Sequence, residues 1–200
     1  MASPSSEPAP ASIGFVPADE AEKPLVVVAV GTDHHPFARL VDWMDGWAGA
    51  HPDVDVLIQR GTAAETVNAT SRALVPHREL CQLFGRATAV VAHGGPATIM
   101  DVRSSGLVPL VVPRDPDRGE HVDDHQQRFA RHLARVSMAK IVAEIDELDA
   151  LLGPALTDPD TYRIDTVDGA APGVLAFGRI VDDLLGCYTP IVPAQPPEGR

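Results

Sequence analysis

Short apolar runs alternate along the chain with segments whose apolar residues recur at helical spacing. Residues 25–30 (LVVVAV) form an unbroken, largely β-branched run, the pattern of a strand covered on both faces. In residues 37–49, Phe37, Leu40, Val41, Met44 and Trp47 fall on one side of a helix. The pattern then predicts a strand over 54–59 (VDVLIQ), a short helix over 77–84, a strand over 87–92 and a helix over 96–105. A strand over 108–112 (VPLVV), a helix over 120–135 with Val122, Phe129 and Leu133 inward, a short strand over 138–142 and a helix over 144–152 follow. Residues 61–73 are polar and predict no element, and residues 153–171, rich in Pro, Asp and Gly, are equally mute. A last helix is expected over 172–187. Strand and helix alternating at this pitch predict an α/β domain, a Rossmann-like parallel sheet flanked by helices.

The edges of that pattern set the domain organisation. Residues 1–23 are rich in Pro, Ser, Ala and Glu, the composition of a disordered lead-in, and residues 191–200 look like a second loose end. One domain over 24–190 is expected, with no repeat of fixed period and no second domain.

Composition narrows the partners. A net charge of -12 argues against nucleic acid or an anionic membrane as the main partner, because both demand basic surface, while a local amide-lined pocket for an anion stays open. The two cysteines, Cys81 and Cys187, have no metal-type spacing, so a reducing compartment is the simplest expectation. The first residues, MASPSSEPAPAS, lack a basic start and an apolar core, and no apolar run approaches a membrane span. Asn68-Ala69-Thr70 has the form of a glycosylation acceptor but is expected to be only a loop, and a cytoplasmic location is expected.

In open parallel sheets, ligands bind beyond the carboxyl ends of the strands. Three loops there carry glycine: residues 31–36 (GTDHHP), 59–63 (QRGTA) and 93–96 (HGGP). In the third, Gly94 and Gly95 allow a tight turn and Pro96 suits the first helical position. The unpaired amides of that helix start suit an anion such as phosphate, with Thr98 adding a hydroxyl. Asp101, about one and a half turns on, can accept hydrogen bonds from a ribose diol. The alternative is a plain strand-to-helix turn with Asp101 favouring the helix start.

Residues 120–130 (EHVDDHQQRFA) form the second dense cluster. His121 and His125 are four apart, so on a helix they would share a face and invite a metal. Val122, however, stands where an HExxH motif needs its glutamate. A solvated polar helix start is the second possibility. The third is that Asp124, Gln126 and Gln127 present hydrogen-bonding groups to the hydroxyls of a sugar. A dinucleotide dehydrogenase fits poorly, because the first strand leads into GTDHHP rather than GxGxxG and no acidic residue closes the second strand at Gln59.

The order GT-x-x-x-PF, IQxG, HGGPAT-I-x-D, VPR and EHxDDHQ-x-x-x-A resembles the carboxyl-terminal domain of family 28 glycosyltransferases, over about residues 25–142. Small Alg13-like and exopolysaccharide PssE-like subunits are the most similar in kind, and the carboxyl half of MurG is more distant. The resemblance implies a single carboxyl-terminal-type half of a GT-B glycosyltransferase, the half that binds a UDP-sugar donor. It implies that Gly31 and Thr32 lie near the phosphates and that His93, Gly94, Gly95 and Thr98 form the diphosphate turn. Asp101 takes the place of a glutamate that contacts the ribose, one methylene shorter. Asp124, Gln126 and Gln127 match the segment that contacts the donor sugar, and the stretch around residues 74–77 matches backbone that grips the uracil. His34-His35 replaces the usual small residues of the first loop, and either histidine is a candidate catalytic base.

With only about 24 residues before the first strand, the acceptor side is expected from another chain, an Alg14-like or PssD-like membrane-associated subunit. The expected activity is therefore hexosyl transfer from a UDP-sugar to a lipid-linked or polysaccharide acceptor, at the inner face of a membrane and in a hetero-oligomer. No metal and no cofactor beyond the donor substrate are expected. A non-catalytic nucleotide-binding or scaffold protein of the same fold, and a metal-dependent hydrolase using His121 and His125, are the alternatives.

Overall fold

The computed structural model describes residues 23–165. The two expected tails and the expected helix over 172–187 lie outside these residues. Six parallel strands form one sheet: β1 Leu25–Ala29, β2 Asp55–Gln59, β3 Thr70–Arg72, β4 Ala89–Ala92, β5 Leu110–Val111 and β6 Lys140–Ile141. Five α-helices connect or follow them: α1 Ala38–Ala50, α2 His77–Arg86, α3 Pro96–Ser104, α4 His125–Arg135 and α5 Ile145–Thr157. A 3-10 turn over Pro116–Arg118 follows β5.

The strand order is β3-β2-β1-β4-β5-β6, so the chain grows outward from β1 to one edge and then returns to fill the other. Both β1 and β4 are central, and the four residues of β4 and all but the first of β1 are buried, as their β-branched and small side chains dictate. Phe37, Leu40 and Met44 around α1 and Phe84 of α2 are sealed from solvent in one core with the central strands, and Leu148 and Leu152 of α5 join the same core. Ile99, Val111, Phe129, Ala130 and Leu133 form a second cluster that seats α3 and α4.

Three elements differ from the sequence pattern, the first being α5, which runs through the start of the mute stretch as far as Thr157. The polar stretch over 61–73 contains β3, a three-residue edge strand paired with β2 from Leu57↔Thr70 to Gln59↔Arg72. Its approach is fastened from α1, where the Asp45 carboxylate accepts backbone N–H bonds from Val67, Asn68 and Ala69. That also fixes Asn68, whose side-chain amide donates to the Asp45 carbonyl. The expected helix over 120–135 begins only at His125, because Glu120 is drawn into the interior and residues 121–124 bend around it, so that Val122, expected to face inward, is off the helix and exposed.

Candidate functional site

The order of the strands creates a switch point between β1 and β4, whose following connections leave to opposite sides of the sheet. The two loops that open there are residues 30–37 and 93–95. His93 closes β4 and is buried. Its backbone N–H donates to the Ala29 carbonyl at 3.0 Å, and its ring Nδ1 lies 3.2 Å from the same oxygen. A carbonyl only accepts, so Nδ1 carries the proton and Nε2 keeps a lone pair.

The imidazole edge explains the glycines around it. A Cβ on Gly95 would lie 2.1 Å from His93 Nε2, and one on Gly31 would lie 2.6 Å from it. Gly31 also has a φ of +80°, which side-chain-bearing residues rarely adopt. A Cβ on Gly94 would lie 2.8 Å from Gln126 Cβ. The three glycines therefore let two loops and α4 close on one another without side chains between. From Gly95, the extended N-cap, the chain enters α3 with Pro96 in its first turn. The amides of Ala97 and Thr98 in that turn have no helical acceptor, and the helix dipole adds partial positive charge there. Thr98 is half-buried on the same turn.

Burial, opposed by the Ala29 carbonyl and reinforced by the nearby Arg114 charge, holds the His93 pKa down at about 4. A histidine unfolded into water titrates near 6.5, so between these values the unfolded chain binds more protons than the folded one. Stability is then fully present above about pH 6.5 and is lost as pH falls toward about 4, by about 3 kcal/mol in all. The expected outcome is a urea midpoint that falls steadily across that window and a His93→Asn variant in which most of the slope is gone.

The floor of the site is a buried arginine. Arg114, fully enclosed at the end of β5, donates from Nη1 to the carbonyls of His35 at 2.8 Å and Glu120 at 2.9 Å. Its Nη2 donates to the Val30 carbonyl at 2.9 Å, and its guanidinium lies 4.8 Å above the Phe37 ring centroid. Glu120, also buried, takes a bidentate pair from Arg39 at 2.9 and 2.8 Å and accepts the Asp115 N–H. Arg114 thus ties the loop after β1 to the segment after β5, and Arg39 fastens that segment to α1. Sequence patterning did not single out Arg39, and it met Arg114 and Glu120 only inside the motifs VPR and EHxDDHQ, with no role attached; an arginine one proline beyond the apolar run VPLVV was the available signal.

Along the rim above this floor stand the candidate bases. His35 is half-buried, and its Nδ1 lies 2.7 Å from Asp33 Oδ1. The backbone N–H and ring of His35, with Arg114 behind them, hold the Asp33 carboxyl at about 2 despite partial burial. His34 is 83% exposed, 3.7 Å from the same carboxylate oxygen. His121 reaches Asp33 at 3.8 Å, and Asp123 lies 3.3 Å from His121 and 2.8 Å from His125. Because α4 starts at His125, His121 is off the helix, and the shared helical face expected for the two histidines does not exist.

The remaining candidates divide. Gln126 packs under the Gly94 turn, with a buried Oε1 that has no partner among the described residues. Gln127 points elsewhere, its amide donating to Asp115 at 3.3 Å, and Asp124 is an exposed partner of Arg128. Thr32 is exposed on the first loop. Asp101, on α3, sits 2.9 Å from His77 Nε2 at the start of α2, in the stretch expected near a base. Gly31, His93, Gly94, Gly95 and Gln126 therefore meet at one point, and Asp101 flanks it from further along α3.

Two clefts lie apart from this point. One, of about 340 Å³, is lined by Arg39, Asp115, Gln127, Arg131 and Glu144. The other, of about 770 Å³, lies at the amino ends of β1 and β2. The glycine turn itself forms a shelf on which Pro96 and Ala97 are exposed and Gly95 and Thr98 are half-buried. Among the described residues no helix is long and apolar enough to cross a membrane.

Residues 25–166 match the glycosyltransferase family 28 C-terminal domain. Among curated proteins, the UDP-N-acetylglucosamine–N-acetylmuramyl-(pentapeptide) pyrophosphoryl-undecaprenol N-acetylglucosamine transferase of Pseudomonas fluorescens is 29% identical over 114 residues. That match covers 55% of this chain and 30% of the relative, so the chain spans less than a third of it. Among solved structures, the glycotransferase of kitacinnamycin superposes with a TM-score of 0.54 at 18% identity, over 88% of this chain and 43% of that one. The solution structure of ALG13 superposes with a TM-score of 0.50 at 16% identity, over 80% of this chain and 94% of that one. At these identities the two structures share the fold.

Proposed function

Because the chain belongs to the glycosyltransferase family 28 C-terminal domains, we propose that it is the donor-binding side of a glycosyltransferase and holds the diphosphate of a UDP-sugar on the shelf between β1 and β4. The observation that carries this is the convergence of Gly31, Gly94 and Gly95 on the buried ring of His93 at the mouth of α3. His93 and Gln126 fill the places that those side chains would take, so the two loops and α4 close around the turn, with the first amides of α3 at its edge as donors for a ligand. In a chain of net charge -12, such local donors are what an anion needs.

In this mechanism the α3 amides and dipole stabilise the charge that develops on the leaving diphosphate. Gln126, with its unpaired buried oxygen, receives a hydroxyl of the sugar, and Asp101 receives the ribose. Of the two candidate bases, His35 is the better arranged. Asp33 accepts from its Nδ1, which leaves Nε2 free to take a proton from an acceptor hydroxyl. The acceptor comes from a partner subunit or domain at this rim, where Leu74 and Val122 are 62% and 74% exposed. A membrane-associated partner handling a lipid-linked or polysaccharide acceptor fits that arrangement, as does transfer of a hexose.

Calorimetry with UDP and UMP tests the proposal. UDP is expected to bind at least tenfold more tightly than UMP, since the second phosphate engages the turn. Asp101→Ala is expected to weaken both nucleotides by a similar factor of about 5–30, about 1–2 kcal/mol for lost charge-assisted bonds. Equal affinities of the unaltered chain for UDP and UMP, or no binding of either, would reject the site.

A further inference from the structure

Helices α2 and α3 pack side by side, and their facing surfaces bring together three chemically different donor groups. His77 and Cys81 are four apart on α2 and so share a face, while Asp101 reaches across from α3. His77 Nε2 lies 2.9 Å from Asp101 Oδ2 and 3.5 Å from Cys81 Sγ. The ligand atoms of all three lie within 4.8 Å of one another. A tetrahedral zinc ion, with bonds of about 2.0–2.1 Å to nitrogen and about 2.3 Å to sulfur, holds those two atoms roughly 3.5–3.6 Å apart. The His77–Cys81 pair already has that spacing.

We propose that His77, Cys81 and Asp101 form a site for a thiophilic divalent cation, zinc foremost, and that its occupation withdraws Asp101 from nucleotide binding. The second half rests on the role given to Asp101 above. One thiolate, one imidazole and one carboxylate suit zinc and disfavour magnesium or calcium, which take oxygen ligands. Three protein ligands leave the fourth position to water. The His77–Asp101 contact must open by roughly 0.4 Å to reach a tetrahedral edge, and the 73% exposure of the His77 side chain gives it room to do so. Metal binding replaces the Cys81 S–H proton, which passes to solvent. The arrangement makes zinc an antagonist of the donor, acting on the ribose contact and not on the phosphate turn.

Cobalt(II) provides the test, in the full chain carrying Cys187→Ser so that Cys81 is its single thiol. One equivalent is expected to give thiolate-to-cobalt charge-transfer absorption that zinc abolishes. Cys81→Ser removes that absorption, and His77→Ala weakens binding at least tenfold. No such absorption, or absorption that survives Cys81→Ser, overturns the metal site. In the nucleotide arm, saturating zinc lowers UDP affinity at least tenfold in the Cys187→Ser chain and leaves it unchanged when Cys81→Ser is added. Full UDP affinity with zinc bound overturns the antagonism. Absence of UDP binding in every sample defeats the nucleotide role and the antagonism with it, and the cobalt spectrum then decides the metal site alone.

Discussion

A Gly95→Ala variant is expected to bind UDP at least tenfold more weakly than the unaltered chain while keeping its fold. The added methyl would sit 2.1 Å from His93 Nε2, far inside van der Waals contact. His93 has no easy retreat, because its ring is buried and Nδ1 is tethered to the Ala29 carbonyl. The strain, about 1–3 kcal/mol for overpacking, is relieved by moving the turn, and moving the turn displaces the first amides of α3. Those amides are the proposed phosphate donors, so a small structural cost becomes a large binding cost. Adding His93→Ala removes the clashing ring. The double variant should then lose less stability than the sum of the two singles, by roughly 1 kcal/mol or more in a double-mutant cycle read from urea midpoints. Parent-like UDP affinity in Gly95→Ala would show that the turn does not hold the phosphate.

Replacing Arg114 with methionine is expected to have the largest effect on stability. The side chain is fully buried and satisfies carbonyls of Val30 and His35 in the loop after β1 and of Glu120 in the segment after β5. Methionine fills much of the volume but donates nothing, so the three carbonyls lose their partner and the buried Glu120 carboxylate loses a nearby positive charge. Breaking a buried, hydrogen-bonded charge typically costs about 3–5 kcal/mol, which for a chain of this size lowers Tm by roughly 10 °C. Calorimetric unfolding checks this. The same variant should raise the Asp33 pKa, since Arg114 is one of the charges that hold it down. A Tm within 2 °C of the parent, about 1 kcal/mol or less, would mean that the guanidinium contributes little.

These residues also show where the sequence was readable. The central strands were legible because a strand covered on both faces must be apolar at every position, as LVVVA and AVVA are. The helical faces of α1 and α4 followed from periodicity, with Leu40, Met44, Phe129 and Leu133 all buried. Edge strand β3 was not legible, because Thr70, Ser71 and Arg72 have no apolar pattern and their placement depends on Asp45, more than twenty residues earlier. The start of α4 was misjudged for a related reason. Glu120 reads as a helix-start acid, yet its carboxylate is committed to Arg39, 81 residues away. The glycines of the turn were legible as glycines, whereas the reason for them, the His93 ring, is a tertiary contact. Gln126 and Gln127, adjacent and chemically identical, were indistinguishable until α4 turned one toward Gly94 and the other toward Asp115.

The central claim is that the turn between β4 and α3 holds a nucleoside diphosphate, and amide-resolved NMR during a UDP titration tests it most directly. Saturable shifts are expected at Gly31, Gly94, Gly95, Ala97 and Thr98, with smaller ones near His77 and Asp101. Little change is expected at the cleft lined by Gln127 and Arg131 or at the amino ends of β1 and β2. Saturable shifts confined to either of those clefts, with the α3 amides unmoved, would contradict it.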